Sequence, residues 1–114
     1  MKLLLPTTAA VLFAVASNAY IVTLYTEPNC LGAAAERNAY DNTCALTGGF
    51  QSWRLSGHGG VYQRLQTYSR NACAGDTTGK FCTTGEASVA LGDCQNTNGG
   101  SNALDSQSDF FDCA

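Results

Sequence analysis

The chain has 114 residues, six cysteines, six basic and nine acidic residues, and a formal net charge of −3. That length holds one domain. An acidic balance argues against nucleic acid and anionic membranes as partners, since both reward positive charge.

Residues 1–19 read as a signal peptide. Lys2 supplies a positive start, and Leu3 to Ala16 is apolar apart from Pro6, Thr7 and Thr8. Ser17-Asn18-Ala19 then offers small residues for cleavage after Ala19. Ala14-Val15-Ala16 marks an alternative cut after Ala16. The stretch is too short and too interrupted for a bilayer span, which needs about 20 apolar residues. The mature chain, 20–114, keeps five basic and nine acidic residues, a balance of −4. No second apolar run follows, so no stable membrane insertion is expected. The expected destination is extracellular.

Residues 20–26, Tyr-Ile-Val-Thr-Leu-Tyr-Thr, have the aromatic and β-branched composition of a strand. Tyr25, Cys30 and Gly32 follow in the order Tyr, four residues, Cys, one residue, Gly. Residues 33–37 favour helix by composition but fall where the pattern needs a strand, and a strand is expected. After Cys44 comes Phe50-Gln-Ser52-Trp53-Arg-Leu55, read as a strand opened by serine. Ser56 to Gly60 is a glycine-rich link holding the lone histidine, His58.

The pattern then repeats. Residues 61–68 read as a strand, and Tyr68, Cys73 and Gly75 restate the first motif 43 positions on. Cys82 is followed by Ser88, Val89 and Leu91. Motif one is placed at about 20–57 and motif two at about 61–93. Gly32 and Gly75 are expected at positive φ. Ser52 and Ser88 are expected to tie down a hairpin backbone. Val22 with Leu24, Trp53 with Leu55, Val61 with Leu65 and Val89 with Leu91 are the expected inward positions, and Phe50 is expected at the core edge. Residues 94–114 form a tail. Its part 95–102 reads as a polar loop, and Phe110 and Phe111 either add a last strand or dock.

An even cysteine count in a short secreted chain reads as a disulfide framework. The absence of Cys-x-x-Cys and the single histidine argue against zinc. Six cysteines allow fifteen pairings. The repeat favours closure within each unit: Cys30–Cys44 and Cys73–Cys82, leaving Cys94–Cys113. His58 has no nucleophile near it in sequence, so no catalytic residues are assigned.

Tyr25, Cys30 and Gly32 followed by a distant Ser52-Trp-Arg-Leu, and the second copy of that order, resemble the βγ-crystallin unit. The resemblance covers about residues 20–93. It departs from the family where Cys30 and Cys73 replace an aromatic residue. It implies an all-β fold: two Greek-key motifs forming a disulfide-stapled, βγ-crystallin-like β-sandwich over residues 20–114. Microbial members often bind calcium, but the matching places here are Thr47 and Gly48, then Thr83 and Thr84, with no carboxylate. No metal or other cofactor is expected. Small secreted relatives include yeast killer toxins, seed antimicrobial proteins, a metalloproteinase inhibitor and fungal effectors. The resemblance to the fungal members implies a monomeric, non-enzymatic interaction protein with an extracellular protein or cell-wall target. An antimicrobial or killer-toxin-like protein and an extracellular protease inhibitor are the alternatives.

Overall fold

The computed structural model describes residues 19–40 and 42–114. The expected signal peptide therefore lies outside the described residues, except for Ala19. The described chain is all-β. Strand β1 spans Ala19–Glu27, β2 Leu31–Tyr40, β3 Thr43–Gly57, β4 Gln63–Arg70, β5 Ala74–Cys82 and β6 Cys94–Ser108. The alanine-rich segment 33–37 is strand, as expected, because its backbone completes a ladder with β1. The order across the sheet is β2-β1-β3-β6-β4-β5, and the ladders between these strands are antiparallel.

Two units with the same layout face each other across the β3–β6 pair. Each is a hairpin followed by a 15-residue strand that returns beside the hairpin's first strand. The turns match closely. Asn29 and Cys30 have φ of 62° and 58°, and Ala72 and Cys73 have 62° and 53°. Gly32 and Gly75 follow at +85° and +79°. A Cβ at either would lie 2.4 Å from Thr26 Oγ1 or 2.5 Å from Ser69 Oγ, so glycine is required there for space as well as for φ.

The long strands are shared between the two units. Residues 52–54 of β3 pair with 96–94 of β6, whereas 43–46 pair with 106–103, and the register shifts between these stretches. β1 pairs with residues 52–57 of β3, and β4 with 103–108 of β6. Gly48 and Gly99, at φ +72° and +101°, sit in the strand stretches between these ladders.

The core is one cluster containing Tyr20, Val22, Leu24, Ala39, Phe50, Trp53, Leu55, Leu65 and Leu104. Trp53 meets Phe81 edge-to-face at 5.1 Å although β6 and β4 separate their strands in the sheet order, so the sheet curls back on itself. The first unit supplies most of the apolar volume. Where it has Tyr20, Leu24 and Leu55, the second has Gln63, Thr67 and Ser106, all fully buried.

Several expectations are corrected. Residues 95–102 are strand, not loop, because the ladder to β3 outweighs their poor β propensity. Ser88 opens no long strand. It makes an isolated bridge to Cys82 within the connection 83–93. The third strand of the second unit is β6, which the sequence pattern assigned to a tail. Val61 and Leu91 are exposed rather than inward. Val89 packs against the core from a partly buried position.

The bridges are Cys30–Cys94, Cys44–Cys73 and Cys82–Cys113, and no cysteine is free among the described residues. The within-unit pairing fails for a topological reason. The start of β3 lies in the second unit's half of the sheet, which brings Cys44 to that unit's turn. The start of β6 lies in the first half, which brings Cys94 to the turn at Cys30. The first two bridges are thus mutual cross-links between the units.

Candidate interaction surface

The most exposed apolar cluster surrounds the chain's Asp109-Phe-Phe-Asp112 turn. Phe111 is 91% exposed, Val61 71%, Phe110 60% and Tyr62 37%. The Tyr62 and Phe110 rings meet edge-on at 4.9 Å, and Phe110 and Phe111 at 6.0 Å. Water contact at such rings is unfavourable by about 25 cal/mol per Å2 of apolar surface.

The backbone holds these rings out. Asp109 N–H donates to Tyr62 O at 2.7 Å, and Cys113 N–H donates to Asp109 O at 3.0 Å. The Asp109 carboxylate accepts from Asp112 N–H at 3.0 Å and from Arg64 at 2.8 Å. The backbone bond from Asp112 is the main reason its pKa lies below the ordinary aspartate value. Desolvation opposes that bond more weakly, and the Arg64 guanidinium adds to the lowering. Cys113, fully buried, is bonded to Cys82. Tyr62 has φ +57°, an outlying conformation for a bulky residue that its surroundings must enforce.

Two hollows adjoin residues of this region. One, about 150 Å3, is lined by Val61, Tyr62, Thr84, Gly85, Cys113 and Ala114. The other, about 170 Å3, is lined by Arg64, Lys80, Phe81, Cys82, Asp109 and Asp112. The surface therefore offers an aromatic ridge, an apolar recess and a charged recess.

The remaining sequence candidates serve the frame. Ser52 Oγ accepts from Cys30 N–H at 2.8 Å and donates to Glu27 O at 2.5 Å, which is the hairpin clasp expected of it. Ser88 Oγ reaches only the neighbouring Val89 O, at 2.9 Å. In the second unit the place opposite Tyr68 belongs to Ala103, which has no hydroxyl, whereas Ser52 stands opposite Tyr25. Tyr25 carries the Arg54 guanidinium at 5.9 Å from its ring centre. Tyr68 O–H donates to Asp105 Oδ2 at 2.7 Å. Burial first, then that bond and the Asp105 charge, push the phenol up to about 12.

His58 lies in the link between units, with Nδ1 2.8 Å from Thr83 O. Thr83 is buried and donates to Gln63 O through both its N–H and its hydroxyl. Thr84 Oγ1 accepts from Gln63 N–H. Among the described residues no three His, Cys, Asp or Glu side chains gather as a metal site, and no helix is long and apolar enough to cross a membrane.

The sequence pattern did not single out this surface. Its visible signal was an aromatic pair between two aspartates, just ahead of a cysteine. An aspartate that accepts from the backbone N–H three residues on is a turn device. No family model matches the chain, and no curated protein or solved structure matches it.

Proposed function

We propose that this chain is a secreted, non-enzymatic interaction protein of βγ-crystallin-like build that binds an extracellular protein through the aromatic turn. The observation that carries the reading is the exposure of Phe110 and Phe111 on a backbone clasped by Asp109 and a buried disulfide. Rigid exposed aromatics lose little entropy on docking and are the side chains that dominate protein interfaces. Three disulfides in a small domain fit an extracellular, oxidising compartment. The two-Greek-key assignment is supported by the strand exchange: β2-β1-β3 takes the start of β6, and β5-β4-β6 takes the start of β3. The sequence resemblance favours a fungal effector acting on a host or competitor, since fold alone does not choose an activity.

The test compares the mature protein with its Phe110→Ala/Phe111→Ala variant as bait in apoplastic fluid and cell-wall extracts. The expected result is a discrete captured protein, bound at least about tenfold more weakly by the variant. Equal capture by both proteins removes the turn from the function. Rapid dye release from anionic vesicles at low salt would instead promote the antimicrobial alternative. The rigidity of the turn also fits a protease inhibitor. Inhibition of an extracellular protease that disappears in the variant would select that reading.

A further inference from the structure

We propose that Asn98 is a modification site, at which the Asn98-Gly99 step deamidates to aspartate and isoaspartate in the folded protein. Asn98 is the chain's only asparagine followed by glycine. The fold sets this pair in a wide bulge of β6. The ladder pairs Phe50↔Ser101 and Ser52↔Asn96 flank it, so residues 97–100 stand against Gln51 alone. Gly99 takes φ +101°, and a Cβ at Gly99 or Gly100 would meet nothing within 4 Å. Asn98, Gly99 and Gly100 are all exposed. The Thr97 hydroxyl donates to Gly99 O at 2.6 Å, which bends the backbone around Asn98. The matching bulge of β3, residues 47–49 against Asn102, has Thr47 before Gly48 and so lacks the reactive carboxamide.

Water is the only co-reactant. The Gly99 amide nitrogen attacks Cγ of Asn98. A C–N bond forms, the bond from Cγ to its amide nitrogen breaks, and ammonia leaves with the proton that Gly99 gave up. Water then opens the five-membered imide at one of its two carbonyls. One opening gives aspartate. The other runs the main chain through the former side chain and gives isoaspartate. A regular ladder opposes the first step, because extended backbone holds the carboxamide carbon away from the next amide nitrogen. A bulge breaks the ladder locally, and glycine sets no Cβ beside the attacked carbon. Intramolecular attack is as fast as the two atoms are well placed to meet. The other asparagines of the described chain all precede a residue that carries a Cβ. Two of them, Asn29 and Asn96, also hold one another, and Asn102 donates to Ser69 O at 2.8 Å. Each conversion at Asn98 adds one negative charge, taking the mature chain from −4 to −5.

Incubation of the mature, bridged protein in warm, mildly alkaline buffer tests this. Isoelectric focusing should show a more acidic species that grows with first-order kinetics and faster as pH rises. Peptide mapping by mass spectrometry should place the change at residue 98, as a mixture of aspartate and isoaspartate. Asn98→Gln should stay at the parent's starting position, because its longer side chain does not close the five-membered imide. Asn98→Asp should focus with the acidic species from the outset. The same chain reduced and held in urea gives the rate without the fold, and the folded protein should convert within about tenfold of it. No acidic species, a first conversion at another asparagine, equal conversion in Asn98→Gln, or a folded rate slower than that margin overturns the proposal.

Discussion

Removing the Ser52 hydroxyl leaves the buried Cys30 N–H without its acceptor. A stranded buried donor costs about 1–3 kcal/mol. Ser52→Ala is therefore expected to lower the denaturation midpoint clearly, whereas Ser88→Ala should move stability by no more than about 0.5 kcal/mol, because its hydroxyl serves only a neighbouring carbonyl. Urea titration of both variants checks the contrast. Ala72 offers the opposite opportunity. It sits at φ 62°, ψ 29°, where an L-residue costs about 1–2 kcal/mol. Asn29 holds the matching place, at φ 62°, ψ 28°, and also pairs with Asn96. Asparagine tolerates the left-handed region better than alanine, so Ala72→Asn should raise the melting temperature by several degrees. Tyr68 makes stability depend on alkali. Its phenol titrates higher folded than unfolded, so its contribution is complete below 10 and is lost as pH climbs toward about 12. The urea midpoint of the parent should therefore fall more steeply above pH 10 than that of Tyr68→Phe.

Among the elements, the turn at 109–112 and strand β6 show what sequence patterns reach and what they miss. The turn depends on one carboxylate. Asp109 is more acidic in the folded chain, so its clasp is complete above the ordinary aspartate range and fails as pH falls through its lowered value. Asp109→Ala should lose protection of the Asp112 amide, whose acceptor is the carboxylate, at neutral pH without a large change in the global unfolding midpoint, as read by hydrogen exchange. Strands β1 and β4 and the two turn motifs were legible because their signals are local: β-branched runs, Tyr-to-Cys-to-Gly spacing and obligatory glycines. β6 was not. Its first half is Gln, Asn, Thr and Gly, and it becomes strand only because β3 offers Ser52 to Arg54 as a template. Ser88 drew the repeat's last position away from β6 because it stood at a plausible spacing. Of the exposed aromatic turn, the sequence displayed the two phenylalanines but not their exposure. That exposure follows from Cys113 being pulled inward to Cys82.

For the whole molecule, the cross-unit bridges decide cohesion. Cys30–Cys94 and Cys44–Cys73 span 64 and 29 residues. Closing loops of that size is worth about 4 kcal/mol each in the chain-entropy model. Double alanine replacement of either pair should therefore cost about 2–5 kcal/mol and loosen both units together, since each bridge ties one unit's turn to the other's long strand. Calorimetry should record one cooperative transition in the parent. Non-reducing peptide mapping should recover Cys30 linked to Cys94.

By itself the sequence determined the class of molecule: short, acidic, cysteine-framed, all-β and internally repeated. Composition, cysteine parity and hydrophobic alternation are properties of neighbouring residues, and they can be read without a fold. Tertiary structure alone decided the bridge partners, the role of β6, the polar second half of the core and the outward set of Val61, Phe110 and Phe111. Each of these depends on which distant segments pair across the β3–β6 seam. Pairing is chosen by burial and ladder hydrogen bonds summed over the whole sheet, and no local window of the chain contains that sum.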